Sequence, residues 1–137
     1  MKKILAVSIT AILFASCAPS SNIPTLEMDF APASPLGARV TGSGTLVSST
    51  SGSTKVRLEL RGLPANSSLG AGIHLGSCTN QGPLAITLPD LRTDSGGNTS
   101  LETSFKNGVL PAQAYVNVYQ KTQADGYGTA LACGNIK

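Results

Sequence analysis

A single histidine, His74, and three cysteines, Cys17, Cys78 and Cys133, are the side chains here suited to soft-metal ligation or thiol chemistry. His74 and Cys78 share one stretch, Gly70–Pro83, which reads GAGIHLGSCTNQGP. An imidazole can hold Cu(II) or Zn(II) and can move a proton near neutral pH. One imidazole alone makes a weak metal site, because affinity and geometry come from several preorganised ligands. Serines are abundant, but only one histidine exists to activate any of them. The chain has no CxxC pair, no phosphate-binding glycine loop, no readable His-based triad and no paired-carboxylate motif. Acyl transfer, phosphoryl transfer and dithiol redox chemistry therefore lack support.

The cysteines also report on location. Lys2 and Lys3 precede an apolar run, Ile4–Ala15, of the length expected for the hydrophobic part of a signal peptide. That run is too short to span a bilayer. Phe14-Ala15-Ser16-Cys17 resembles a bacterial lipobox, with Phe14 where Leu is usual. The expectation is a signal peptide over residues 1–16 and lipidation of Cys17. The alternative is an ordinary secretory signal that leaves Cys17 a free thiol. Three cysteines are an odd number for an exported chain. If Cys17 carries lipid, Cys78 and Cys133 remain to pair in an oxidising compartment. Closing that loop would contribute about 4 kcal/mol in the chain-entropy model. The partner expected from this reading is the membrane of a bacterial cell envelope, reached through the lipid on its extracytoplasmic (periplasmic or cell-surface) side. Ala18 follows the cysteine, and the absence of Asp there points to outer-membrane or outer-leaflet placement.

The elements that must position these residues read as β-structure. The 137 residues carry a net charge of +3, and removing Lys2 and Lys3 leaves +1. No dense basic patch exists, so nucleic acid is not an expected partner. Residues 17–37 contain Pro19, Pro24, Pro32 and Pro35 among small polar residues and read as a lipid-anchored tether. The alternation of Leu26, Met28 and Phe30 marks a short strand inside it. Residues 38–137 read as one all-β domain. Thr54–Arg61 alternates cleanly, with Val56, Leu58 and Leu60 on one face and Lys55, Arg57, Glu59 and Arg61 on the other. Further strands are expected at Thr45–Ser49, Ala71–Leu75, Thr99–Phe105, Tyr115–Tyr119 and Thr129–Ile136. Pro89 interrupts the apolar stretch Leu84–Leu91, which is read as a packed loop. Asp94-Ser95-Gly96-Gly97-Asn98 is a strong turn signal. Seven to eight short antiparallel strands imply a sandwich or Greek-key barrel.

With these residues in place, the stretch from Thr45 to Ile136 resembles the copper/zinc superoxide dismutase family. The framework matches at Cys78-Thr79-Asn80-Gln81-Gly82-Pro83, at Asp90-Leu91 and at Leu131-Ala132-Cys133-Gly134-Asn135-Ile136. The resemblance implies a Greek-key β-sandwich or barrel and a bridge between Cys78 and Cys133. It also implies that the metal chemistry is lost. The first histidine of the family's His-x-His pair falls on Gly72, and His74 alone remains. The metal-bridging histidine falls on Leu84, a zinc histidine on Thr87, and a copper histidine on Tyr119. The guanidinium that guides superoxide falls on Ala130, and Asp90 stands at the zinc carboxylate. A further zinc histidine has no counterpart in the shortened loop.

The implied reading is a non-enzymatic lipoprotein with no cofactor and a structural or binding role. The alternatives are weak copper binding, through His74 with Asp90 or the mature N-terminus, and residual dismutase activity. The vacated positions should gather His74, Leu84 and Tyr119 beside the disulfide, with Gly72, Thr87 and Ala130 around them. Leu84 and Tyr119 should supply apolar burial there. His74 should be partly exposed beside Tyr119, and Asp90 should cap the turn at Leu91 through backbone N–H bonds.

Overall fold

The computed structural model describes residues 24–106, 110, 112–124 and 126–137. Eight strands run in chain order: β1 (Thr25–Pro32), β2 (Thr41–Ser48), β3 (Ser53–Arg61), β4 (Ser68–Gly76), β5 (Gln81–Arg92), β6 (Thr99–Lys106), β7 (Ala114–Lys121) and β8 (Tyr127–Asn135). A single 3₁₀ turn, Pro35–Gly37, lies between β1 and β2. All pairings are antiparallel, and the sheet order is β5-β4-β7-β8-β1-β2-β3-β6. The outermost strands β5 and β6 approach each other, so the sheet curls into a nearly closed barrel. The Thr99 hydroxyl donates to the Arg92 carbonyl at 2.8 Å across that seam. β7 returns to lie beside β4 after the consecutive strands β4, β5 and β6, a Greek-key connection.

β3 shows why the sheet curls round one core. Its inward residues Thr54, Val56, Leu58 and Leu60 are buried and its charged residues are exposed. Lys55 meets Glu102 at 3.3 Å and Arg57 meets Glu59 at 2.9 Å on the wet face. Such exposed pairs add little stability. The inward set is completed from the other strands by residues such as Met28, Leu46, Ile73, Val116, Val118 and Leu131. The turn read at 94–98 is built as its composition requires. Asp94 Oδ1 accepts the backbone N–H groups of Gly96 and Asn98, both at 2.9 Å. Gly97 takes a φ of +75°, which L side chains rarely adopt. The bond from Asn98 N–H heads the contacts that hold the Asp94 carboxyl below its ordinary pKa.

Three expectations about the elements are corrected. The tether read over residues 17–37 ends sooner, because β1 lies inside it, hydrogen-bonded between β2 and β8 with Met28 and Phe30 in the core. The stretch Leu84–Leu91 is a strand and not a packed loop. β5 tolerates Pro89 because it is an edge strand and its register with β4 slips between the Leu69–Leu91 and Ala71–Leu88 pairs. Proline in a sheet is confined to such edges and bulges. The last strand begins at Tyr127, two residues before the expected Thr129. The signal segment and Cys17 fall outside the described residues.

Candidate functional site

The pair β4–β7 carries side chains on two faces, and both are dry. β4 is buried from Leu69 to His74, and β7 from Ala114 to Val118. Ile73, Val116 and Val118 fill the barrel. On the outer face Gly70, Gly72 and His74 of β4 lie opposite Tyr119, Asn117 and Tyr115 of β7. Those outward side chains should be wet in an antiparallel sheet with one solvated side. Instead Tyr115 is 1% exposed, Asn117 0% and His74 8%. The expectation of a partly exposed His74 is thus corrected.

The cover comes from three places. The start of β5 lies over the cluster, and its Gly82 carbonyl accepts from Tyr115 Oη at 3.3 Å. The loop between β4 and β5 is tied down by the Cys78–Cys133 disulfide, with the Cα atoms 5.9 Å apart. Cys133 is paired in register with Asn117, so the bridge stands on the same outer face. The Cys78 N–H also donates to Asn135 Oδ1 at 2.8 Å. The third cover is Tyr127, whose ring stacks on Tyr119 at 4.7 Å with an interplanar angle of 6°. The β7–β8 register slips twice between Val118 and Lys121, which re-aims β8 and places Tyr127 there. Its hydroxyl donates to the Ala71 carbonyl at 2.9 Å.

Two glycines form the floor. A Cβ on Gly70 would come within 2.5 Å of the Tyr127 ring, and one on Gly72 within 2.5 Å of Leu84 Cδ1. Tyr119 reaches along this bare strip to His74. The hydrogen-bond directions form one consistent chain. Asn117 Nδ2 donates to Tyr119 Oη at 2.8 Å. Tyr119 Oη then donates to His74 Nε2 at 2.9 Å. Nε2 is the unprotonated nitrogen, and His74 Nδ1–H faces the Gly82 carbonyl at 3.3 Å. The imidazole also stacks on Tyr115, 5.1 Å between centroids and 16° between planes. Burial raises the Tyr115 phenol above its ordinary pKa, and burial does the same for Tyr127.

The residues singled out from sequence are brought together in part. His74 and Tyr119 bond directly, and Leu84 pairs with His74 in the β4–β5 ladder. Leu84 folds one methyl over Gly72 yet stays 43% exposed, so the apolar burial expected of it is corrected. Thr87 pairs with Gly72 and lines a cleft with Tyr127. Ala130 is half-buried across from Tyr119. Asp90 stands apart. It accepts from Lys121 Nζ at 2.6 Å and contacts Ser68 Oγ at 3.5 Å. It caps no turn, which corrects that expectation; Asp94 does so instead. Ser68 lies six residues along β4 from His74, about 20 Å at strand rise. His74 and Asp90 therefore do not share a ligand set.

A copper or zinc ion does not fit these residues. Among the described residues no group of three His, Cys, Asp or Glu side chains is placed to hold an ion. The one imidazole already uses both nitrogens. Tyr127, Asn117 and the Gly82 carbonyl were not legible as site residues. The three tyrosines and Gly70 were visible signals, but the stacking of Tyr127 depends on the slipped register.

A broad open groove of about 700 Å³ lies elsewhere, lined by Glu59, Arg61, Arg92 and Asp94 among others. It has no contact with the histidine cluster. The class of protein defined here is an eight-stranded Greek-key barrel with a disulfide-tied loop over a dry tyrosine–histidine cluster. Compared with protein-family models and with curated proteins, the chain matches none.

Proposed function

We propose that this chain is an exported, lipid-anchored envelope protein whose superoxide dismutase-like barrel has exchanged its metal site for a structural one. It acts as a structural or binding module outside the cytoplasmic membrane and has no dismutase activity. The observation that carries this reading is the state of His74. Its Nε2 accepts from Tyr119 and its Nδ1 faces Gly82 O, so no lone pair is left for an ion. The remaining carboxylate of the resemblance, Asp90, is engaged by Lys121 at the far end of β4. Anchoring rests on the apolar run and on Cys17 in sequence. One acyl chain binds membranes only marginally, so the mature Cys17 is multiply acylated.

Two measurements test the two halves. Copper and zinc content, with a dismutase assay after metal loading, should give no stoichiometric copper and no activity. Sub-micromolar stoichiometric copper that disappears in His74→Ala would replace this reading with a copper-binding one. For the anchor, Cys17→Ser should move the protein from the membrane to the soluble envelope fraction. A Cys17→Ser protein that still sediments with membranes after signal cleavage ends the lipoprotein reading.

A further inference from the structure

All three tyrosines of the chain and its single histidine meet in one cluster, and the chain has no tryptophan. Tyrosine and tryptophan are the aromatic side chains most easily oxidised by one electron. We propose that the cluster is a one-electron redox site, and that Tyr119 is where the oxidised form settles, as a neutral tyrosyl radical with its proton on His74.

The geometry separates Tyr119 from the other two phenols. A phenol that loses an electron becomes a strong acid, so oxidation is easy only where a base can take the proton within hydrogen-bond reach. Tyr115 donates to the Gly82 carbonyl and Tyr127 to the Ala71 carbonyl. A peptide carbonyl is too weak a base for that task. Tyr119 alone donates to an imidazole lone pair, at 2.9 Å. The step balances in electrons and protons. A small one-electron oxidising radical of the carbonate or peroxyl class takes one electron and becomes its anion. The Tyr119 O–H bond breaks, and the proton passes to His74 Nε2. The imidazolium then has an N–H for the radical oxygen and keeps its Nδ1–H toward Gly82 O. Asn117 Nδ2 continues to donate to the same oxygen at 2.8 Å.

Access and protection are both built in. Tyr127 lies face to face with Tyr119, and it lines an open cleft of about 330 Å³ with Thr87, Asp90, Lys121 and Gly126. An electron can leave through Tyr127 to an oxidant in that cleft without the oxidant reaching Tyr119. Burial of His74 under the disulfide-tied loop keeps water from carrying the proton away.

The test is pulse radiolysis of the purified, disulfide-intact protein with carbonate radical, followed by freeze-quench electron paramagnetic resonance. The expected product is one tyrosyl radical that decays at least about tenfold more slowly than that of free tyrosine, about 1.4 kcal/mol in barrier. In protein carrying ¹⁵N-histidine, the radical should show a nitrogen coupling from the Nε2–H hydrogen bond. Tyr119→Phe should remove the long-lived signal, and Tyr127→Phe should slow its appearance while leaving its spectrum unchanged. His74→Gln keeps a polar group but no base, and should shorten the lifetime to that of free tyrosine. A wild-type radical as short-lived as free tyrosine, or one without the histidine coupling, overturns the proposal without any variant. So does a signal unchanged in Tyr119→Phe.

Discussion

At the residue scale, His74 and Tyr119 are each other's principal polar partners. Removing either takes a hydrogen bond from a buried (His74) or part-buried (Tyr119) group, which costs about 1–3 kcal/mol in addition to lost packing. Tyr119→Ala also loses the stack on Tyr127, about 0.5–1.5 kcal/mol beyond burial. It should destabilise the protein by about 3–5 kcal/mol. His74→Ala should cost about 2–3 kcal/mol, since it takes away the acceptor of the Tyr119 O–H and the stack on Tyr115. The two residues touch, so their effects should not add. The double variant should fall short of the sum by about 1 kcal/mol or more. Urea unfolding of the four proteins with the disulfide intact measures this. Additive costs would mean that the 2.9 Å bond contributes nothing to stability.

At the element scale, the loop joining β4 to β5 decides whether the outer face is wet. It is held to β8 by the disulfide and by the Cys78 N–H bond to Asn135. The bridge spans 55 residues, so its removal should cost about 4 kcal/mol through the unfolded chain. A second consequence belongs to the folded state. With Cys78→Ser the loop keeps only the Asn135 bond, and Gly82 rises more often from His74 and Tyr115. Amide hydrogen exchange should quicken over residues 76–84 and at Tyr115, while β2 and β3 keep their protection relative to the lowered global stability. Uniform acceleration over the whole barrel would show that the bridge acts on the unfolded state alone.

At the scale of the whole molecule, the buried phenols link folding to pH. Burial raises Tyr115 and Tyr127 above the ordinary phenol value, so the folded state holds these protons longer than the unfolded one. Their contribution is fully present below about pH 10 and is lost as pH rises through the raised values. Asp94 works in the opposite direction. Its depressed carboxyl supports the fold above the unfolded value and stops doing so as pH falls through the folded one. Urea midpoints should therefore fall in alkali. Tyr115→Phe removes one of the buried phenols and should make the alkaline fall shallower. An alkaline limb unchanged in Tyr115→Phe would assign that fall to other groups.

What the sequence determined by itself lies mainly in elements with a local signature. The alternation of β3, the turn at Asp94–Asn98 and the barrel class follow from side-chain period and turn chemistry, which neighbouring residues settle among themselves. The Cys78–Cys133 pair was legible by counting. Tertiary structure alone decided the rest. β1 joined the sheet because β2 and β8 left it a place between them, in spite of its proline-rich surroundings. β5 became a strand because it stands at an edge where Pro89 has no ladder bond to break. Asp90 found Lys121 across the sheet, where proximity along the chain pointed to a turn. Period 2 places His74, Tyr115 and Asn117 on the outer face but does not say whether that face is dry. That was decided by a disulfide-tied loop and by Tyr127, which the slipped β7–β8 register brings over Gly70.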